Sequence, residues 1–260
     1  MLPAFSASAQ YSEVGLFVGG SNFIGDVGNY QFHLPTGYAG GVFYRYNFDR
    51  HWAVRAQANY GFIQNDDANS SMAYRVNRNL SFQSEIWEGY VAAEFNFLQY
   101  EPGTKFNHTP YVTGGVGLFY FNPKTEYEGE FYELQPLNTE GQGIEARAPS
   151  PYELGSTFFM FGMGYKIELG RFTTLNFEST FRTTNTDYLD DVSGYYANPD
   201  LLAEENGPIA AALSDRSLAV SDKEDIYRGN PQNKDWYIFT GIAIQWKFDE
   251  LYEKCRNFGR

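Results

Sequence analysis

The chain has 260 residues, of which 18% are aromatic and 20% are charged, and its formal net charge is −13 at pH 7. This acidic balance argues against a nucleic-acid partner, because the phosphate backbone favours basic surfaces. No stretch approaches the roughly eighteen apolar residues that a transmembrane helix needs, so only alternating strands could place the chain in a membrane.

The first segment, MLPAFSASAQ, contains Ala7-Ser8-Ala9, an A-x-A pattern typical of signal-peptide cleavage. We interpret residues 1–9 as the remnant of a signal peptide, which predicts export and a mature chain that starts at Gln10. The alternative is a chance run of small residues, since a basic n-region and most of an apolar segment are absent.

Eight strand-like segments follow, and no segment has the pattern of a long helix. Most of the eight have about ten or more residues, which is enough to cross a bilayer when a strand is tilted. They are predicted near Glu13–Gly20, Thr36–Asn47, Trp52–Gln64, Leu80–Phe97, Pro110–Phe121, Thr157–Leu169, Thr174–Thr184 and Asp235–Phe248.

The connections between these segments alternate in length. The links FDRH and GRFT are tight, and the link at 98–109 is of medium length. Short turns at one end and long loops at the other are typical of an outer-membrane barrel, whereas long structureless loops count against a compact soluble domain. The long connections are Ser21–Pro35, Asn65–Asn79, Asn122–Ser156 and Asn185–Lys234.

Alternate residues of the strands separate into an apolar face and a charged face. An eight-stranded barrel is just wide enough to be filled by side chains, so charges inside it would have to pair with each other. The apolar face is predicted to meet lipid: Val14, Leu16, Val18, Tyr38, Val42, Tyr44, Val54, Ala56, Tyr60, Trp87, Val91, Phe95, Val112, Val116, Leu118, Phe159, Phe161, Tyr165, Leu175, Phe177, Phe181, Ile238, Ile242 and Trp246. The other face carries five acids and five bases: Glu13, Arg45, Arg55, Glu88, Glu94, Lys166, Glu168, Glu178, Arg182 and Lys247.

Two alternatives to this packed polar interior are weaker. A soluble lipocalin-like barrel or sandwich would have to bury about twenty large side chains in a space that holds little more than one ligand. An ion path through the interior is disfavoured by the small diameter of eight strands. We therefore predict a transmembrane outer-membrane β-barrel whose interior charge network includes Arg45, Arg55, Glu88, Glu94, Glu178 and Arg182. Trp52, Trp87, Trp236 and Trp246 lie near strand ends, as interfacial girdles require.

No motif predicts a cofactor, a metal or a catalytic centre. A lone His33 near Asp26 or Asp187 is the best constellation for an enzyme acting on outer-leaflet lipids, and no serine has a nucleophile context. Asp190-Asp191 lacks the spaced ligands of a calcium loop, so turn chemistry is the expected role. The acidic loop segments are interpreted as solvated.

The loops and strands together resemble a known family. GGSNFIGDVG, EGYVAAEFNFL, TPYVTGGVGLFYFNP, PLNTEGQG, TDYLDDVSGYY and RGNPQNKDWYIFTGIAIQWKF are similar to segments of the PorG-type outer-membrane barrel of Bacteroidota. The resemblance covers nearly all of the chain after Gln10, and PLNTEGQG and TDYLDDVSGYY are its most specific parts.

This resemblance implies a non-enzymatic component of the type IX secretion system. Such a barrel anchors the periplasmic ring, built from the PorK lipoprotein and PorN, to the outer membrane. The machine exports proteins and, in gliding species, adhesins. The alternative is a small surface barrel for adhesion or membrane integrity that acts through its long loops.

Two segments on the periplasmic side are predicted to bind partners. The medium link at 98–109 presents Tyr100, Lys105 and Phe106 where a short turn would suffice. The tail at 249–260 holds Cys255, the only cysteine, and an odd cysteine in an exported protein suggests an intermolecular disulfide. The expected domains are the signal remnant at 1–9, the barrel at 10–248 and a periplasmic tail at 249–260.

Overall fold

The structure is a computed structural model that describes residues 11–29, 35–100, 107–145, 148–170, 172–219, 223 and 226–247. The strands in these ranges are β1 (Tyr11–Ile24), β2 (Gly37–Asn47), β3 (Trp52–Asp66), β4 (Ser81–Asn96), β5 (His108–Tyr127), β6 (Glu130–Glu133), β7 (Gly155–Gly170), β8 (Thr173–Thr184) and β9 (Trp236–Lys247). The helices are α1 (Ala73–Arg78), α2 (Pro199–Asn206) and α3 (Pro208–Ser214), with 3-10 turns at Asp67–Asn69 and Gln135–Leu137. None of the helices in the described ranges is long and apolar enough to cross a membrane.

All strands except β6 close into one antiparallel barrel. The order is β4-β3-β2-β1-β9-β8-β7-β5, and the pairing of β4 with β5 completes the circle. Each strand pairs over at least nine residues with both of its neighbours, so the ladder has no open edge within the wall. The eight-stranded antiparallel barrel predicted from the alternation is confirmed.

The barrel is apolar outside and charged inside, the reverse of a water-soluble barrel. Leu118 is 67% exposed and Val18 58% exposed, whereas Arg45 and Arg55 have no exposed surface. A continuous apolar belt of this size is stable only when lipid covers it, so the fold is that of a transmembrane outer-membrane barrel. Ile238 keeps the outward register beside Phe181, although it is only 3% exposed.

The two rims of the barrel differ in their connections. One rim, the short-turn end, carries the links at 48–51, 97–107 and 171–172, and β1 begins and β9 ends there. The opposite rim, the loop end, carries the long connections. Trp52 and Trp246 lie near the first rim and Trp87 lies nearer the second, and all three are exposed, as girdles at two interfaces would be.

The long connections fold into an ordered loop cap, which we define as the described residues of 25–36, 66–80, 122–154 and 185–235. Leu134, Leu189, Val192 and Leu213 of the cap join the hydrophobic cluster that fills the upper barrel. The alternation in the sequence predicts only a long connection at Asn122–Ser156, without a hairpin. Instead β5 turns into β6 through Glu128 and Gly129, whose φ angles of 53° and 86° give the tight turn that a two-residue hairpin requires.

Candidate functional site

Strand β4 shows how the lumen is layered from one rim to the other. From the short-turn end to the loop end, its inward residues run from Glu94 through Tyr90 and Glu88 to Ile86 and Phe82, all of them buried. The polar residues come first and the apolar residues last. The lumen therefore has a charge layer towards the short turns and an aromatic layer towards the loops.

Glu94 is the centre of the charge layer. Its carboxylate accepts from Arg45 Nη2 at 3.0 Å and from Lys166 Nζ at 2.9 Å, and it lies 3.0 Å from Arg55 Nε in a third ion pair. These four side chains come from β4, β2, β3 and β7 and are all fully buried. Because one carboxylate faces three cations, neighbouring acids must supply the remaining negative charge.

Two further carboxylates complete this layer. Arg55 Nη1 donates to Glu178 Oε2 at 2.7 Å, and the Tyr111 hydroxyl donates to the same oxygen at 2.6 Å. Glu13 lies 3.5 Å from Arg45 Nη1 and also accepts from Gln245 Nε2 at 2.9 Å. Three acids thus face three bases in direct contact, and pairing of this kind is what makes such burial tolerable.

Glu88 and Arg182 form a second cluster nearer the loops. Arg182 Nη2 and Nε donate to the two Glu88 oxygens at 2.8 and 3.1 Å, a bidentate pair. Asn59 Nδ2 and the Tyr237 hydroxyl each donate to Glu88 at 2.6 Å. The six side chains predicted as one network therefore make two sets of direct ion pairs, and Glu88 pairs with Arg182 instead of Arg45 or Arg55.

The two outermost predicted charges are less enclosed. Glu168 and Lys247 are half-buried near the short-turn rim, and the Lys247 ammonium lies 4.5 Å from the centre of the Tyr11 ring. Both occupy the ends of their strands. They border the charge layer on the side of the short turns.

The aromatic layer closes the lumen above the charges. Arg182 stacks over the Phe239 ring at 4.3 Å, which joins the two layers by a cation–π contact. The Tyr237 ring lies 5.8 Å from Phe119 and 6.2 Å from Phe158. The layer has at most 5% exposed surface at Phe17, Ile63, Ile86, Phe119, Phe121, Phe158 and Phe239.

This exposure shows that the lumen is sealed. A side chain lining an aqueous pore must be reached by water, yet Arg45, Arg55, Glu94 and Lys166 have no exposed surface. Eight strands leave just enough interior for side chains to fill. The described residues therefore place a packed plug of charge pairs and aromatic rings across the barrel.

Arginines organise the loop cap in a similar way. Arg78 donates to both Asp67 oxygens, at 2.8 and 3.0 Å, and its other nitrogens reach backbone carbonyls of the cap. Arg228 lies 3.4 Å from Glu140 Oε1 and 3.6 Å from Asp191 Oδ2. Burial raises the pKa of Glu140 and of Asp191, and Arg228 opposes the rise. These acids are buried, so the expectation of solvated acidic loops is wrong for them.

Three aspartates tie together the 25–36 loop and the two ends of the 185–235 loop, and we call these aspartates the carboxylate ring. Asp190 Oδ2 accepts from the backbone N of Asp26 and Val27 at 3.1 and 2.9 Å. Asp26 Oδ2 accepts from Asn230 N at 2.7 Å, and Asp235 Oδ2 accepts from Leu189 N at 2.9 Å. Asp190 therefore accepts from Val192 N within its own turn and also binds the backbone of the 25–36 loop.

The carboxylates of this ring repel one another as well as binding backbone N–H groups. Burial and then Asp26 raise the pKa of Asp190, and burial and then Asp190 raise the pKa of Asp235. Burial also raises the pKa of Asp26, and it raises the pKa of nearby Asp187 to about 7. Asp187 accepts from the Ser193 hydroxyl at 2.6 Å, while its Oδ1 has no partner among the described residues. Burial therefore favours the protonated form of the ring carboxylates more than water would.

Tyr100 departs from its predicted place on a partner surface. It has no exposed surface, its backbone N donates to Arg50 O at 3.0 Å, and its ring lies 5.5 Å from the Lys166 ammonium. Its hydroxyl lies 2.5 Å from Thr174 Oγ1. The side chain turns inward because it closes the charge layer from below. Lys105, Phe106 and Cys255 lie outside the described residues, as does His33.

The described side chains form no metal site. No three of their His, Cys, Asp and Glu groups are arranged to hold an ion. The carboxylate ring was missed from the sequence because its members lie far apart along the chain. The one signal was the pair Asp190-Asp191, whose partners only the folded loops reveal.

Three solved structures are similar to the chain at low identity. Ail of Yersinia pestis, solved with a heparin analogue, shows 8% identity over 93% of this chain and 99% of its own, with a TM-score of 0.43. Neisserial surface protein A shows 9% identity over 93% of this chain and 100% of its own, with a TM-score of 0.44. OprG of Pseudomonas aeruginosa shows 11% identity over 92% of this chain and 96% of its own, with a TM-score of 0.43.

Sequence comparison adds the family. A search of curated proteins gives no match. A family model described as a domain of unknown function, DUF6089, matches residues 1–136, which is more than half of the chain. The chain belongs to the DUF6089 family.

Proposed function

We propose that this protein is a non-enzymatic, structural barrel of the outer membrane that anchors the periplasmic ring of a type IX secretion system. The sealed lumen is the observation that carries this proposal. A barrel filled by ion pairs and aromatic rings offers no route for solutes, so its work is done at its rims and surface. The resemblance of its loops to the PorG-type barrel supplies the specific machine.

The proposal places the short-turn end and both chain termini in the periplasm. Outer-membrane barrels carry their short turns on that side and their long loops outside. The ring proteins, the PorK lipoprotein and PorN, would then meet the links at 48–51, 97–107 and 171–172. The tail at 249–260 would extend to the same side.

Within the 97–107 link, the proposed contact residues are Lys105 and Phe106. Tyr100 is not a contact residue, because its buried side chain packs against the short-turn end of the barrel, where its hydroxyl contacts Thr174. This anchor holds the described start of the link, residues 97–100, against the barrel.

Cys255 belongs to the proposal as a covalent contact. No second cysteine exists in the chain, so an internal disulfide is impossible. An oxidising periplasm would favour a disulfide with a ring subunit, for which the lipoprotein is the preferred partner because it also lies against the outer membrane. Non-reducing electrophoresis of native membranes alkylated before lysis should show a Cys255-dependent band of higher mass. A monomer alone in the wild type would remove the disulfide from the proposal.

The test of the docking role is affinity purification from detergent-solubilised membranes. Lys105→Glu with Phe106→Ala should reduce recovery of the ring proteins at least several-fold while the barrel still assembles. Glu204→Ala with Glu205→Ala, on the exposed side of α2, is the matched control and should leave recovery unchanged. If no ring protein is recovered with the wild-type barrel, the proposed function is wrong.

A second function is favoured by one observation, the charge of the loop cap. The cap segments 25–36, 66–80, 122–154 and 185–235 contain 21 of the 32 acidic and 8 of the 19 basic residues, so they account for the whole net charge. An excess of acidic residues in the outer loops suits a barrel for adhesion or membrane integrity. Loss of surface attachment without loss of secretion on deletion of the gene would favour this alternative.

A further inference from the structure

A polar cleft opens on the outer wall of the barrel at the loop end, where β3, β4, β5 and β6 continue beyond the apolar belt. Its volume is about 340 Å³. The register aligns Gln64 with Gln83, Gln83 with Lys124 and Lys124 with Glu133 in one row across four strands. The next row towards the loops holds Asp66, Ser81, Glu126 and Phe131.

The same register fixes the depth of the cleft in the membrane. Tyr60, Trp87 and Tyr120 form a cross-strand row, with the Tyr60 and Trp87 rings 4.7 Å apart. Aromatic rows of this kind lie at the lipid–water interface. Gln83 is four residues beyond Trp87, roughly 13 Å along the strand and about 10 Å along the membrane normal after tilt. The cleft therefore lies at the level of lipid headgroups.

The cleft presents amides that the protein itself leaves unused. Neither the Gln83 amide nor the Asn69 amide has a hydrogen-bond partner among the described residues. Gln64 donates its Nε2 to Thr36 O at 2.7 Å, which leaves its carbonyl oxygen to accept. Each amide offers two donors and an acceptor, a combination that matches vicinal hydroxyl groups.

An aromatic ring flanks these amides. Phe131 is 56% exposed although it lies beyond the aromatic row, where water and not lipid would cover it. A half-exposed ring beside amides and carboxylates can pack against the C–H face of a sugar while the polar groups bind its hydroxyls.

The charge of the cleft selects among ligands. Asp66, Glu126 and Glu133 bring three carboxylates to the cleft and its edge. Two cations oppose them: the Lys124 ammonium lies 3.4 Å from Glu133, and Arg216 Nη1 donates to the Ser81 and Thr125 hydroxyls at 3.2 Å. The balance is one negative charge. Phosphate and sulfate groups would meet net negative charge here. We propose that this cleft binds a neutral saccharide of one or two rings at headgroup level. The source is either the sugar headgroup of a membrane glycolipid or a free glycan.

The experiment uses the full chain in phospholipid nanodiscs on an array of neutral, sialylated and sulfated glycans. Binding should be confined to neutral glycans, and Gln83→Ala and Phe131→Ala should each weaken it at least tenfold. Gln232→Ala, an exposed glutamine of the 229–235 loop, is the matched control and should bind as the wild type does. Heat-dependent gel mobility verifies that each variant is a folded barrel.

A second arm separates the two sources. Wild-type protein purified from its native membrane should retain glycolipid, detected by mass spectrometry, and Gln83→Ala should retain several-fold less if the headgroup is the ligand. Equal retention with intact array binding identifies a free glycan. The proposal is overturned if no neutral glycan binds in either arm, if sulfated glycans bind better, or if Gln83→Ala and Phe131→Ala bind like the wild type.

Discussion

The charge layer and the loop cap both bury acidic groups, yet they do so in opposite ways. In the charge layer every carboxylate faces guanidinium or ammonium groups, as Glu94 does with Arg45, Arg55 and Lys166. In the carboxylate ring, Asp26, Asp190 and Asp235 instead accept from backbone N–H groups and lie beside one another. The first arrangement is a set of fixed ion pairs between strands of a rigid wall. The second depends on protons and joins loops, so we expect the wall to be insensitive to pH and the cap to respond to it.

The largest effect is expected from Glu94→Gln, which keeps the shape of the side chain but removes the charge that three cations share. Breaking a buried ion pair on one side costs roughly 3–5 kcal/mol, because the remaining charges stay buried. Urea unfolding in lipid bilayers, followed by tryptophan fluorescence, measures the loss. Glu85→Gln, on the exposed outer face of the same strand, is the control and should change the free energy of unfolding by less than about 1 kcal/mol. Equal effects of the two changes would contradict the charge layer.

A smaller effect is expected from Tyr237→Phe, at the boundary between the charged and aromatic layers. The change removes one hydrogen bond to the Glu88 carboxylate, 2.6 Å long, and leaves the ring packing intact. Hydrogen bonds to charged groups contribute roughly 1.5–3 kcal/mol. The same unfolding assay applies, and a double-mutant cycle with Glu88→Gln should show coupling. Additive effects would separate Tyr237 from the ion pair.

The pH response of the cap is the third test. Because burial raises the pKa of Asp26, Asp190 and Asp235, the closed cap holds protons that an open cap would release. Its stability is therefore full below the ordinary aspartate pKa and falls as pH rises through the raised values. Each released proton can shift the opening equilibrium by up to about tenfold per pH unit.

Hydrogen exchange corrected for the intrinsic pH dependence measures this response. The amides of Val27, Leu189 and Asn230, which donate to the ring, should lose protection as pH rises above the ordinary aspartate pKa. Amides of β4 next to Glu94 are the internal reference and should keep theirs. Asp190→Asn should flatten the profile. Protection that rises with pH would show that the sign is wrong.

The last prediction is that the barrel does not conduct ions, either as the wild type or with Phe239→Leu. Planar-bilayer recording of the wild type should show no stable open level, because the charge layer and the aromatic layer each close the lumen. Phe239→Leu removes one ring from the aromatic layer but leaves the charge layer intact, so this variant should also show no open conductance. A large, stable conductance in the wild type would mean that the packed lumen opens in a bilayer, and the comparison of two closed layers would lose its basis.

Several features were determined by the sequence alone. Alternation along Val14–Val18 or Trp87–Phe95 has a period of two, and a strand in a closed barrel must send those residues to opposite faces. The eight strands, their lipid face and the short and long rims follow from that period and from the spacing of turns. Charged residues on the inner parity, such as Arg45 and Glu94, could only be tolerated if they paired, so burial and pairing were predictable together.

Only the tertiary structure decided which groups meet. Arg55 pairs with Glu178 and Lys166 with Glu94 across strands that are distant in sequence, and the register of the closed ladder selects these partners. Tyr100 turns inward because its backbone N donates to Arg50 O of a different link and its hydroxyl contacts Thr174 of β8, which no local pattern encodes. Asp26, Asp190 and Asp235 lie in acidic loop segments that the sequence suggests are solvated. The cap buries them instead, because their carboxylates accept hydrogen bonds from backbone N–H groups of other cap segments. Local alternation decides the side of the wall on which a residue lies, whereas its partners depend on distant segments that only folding brings together.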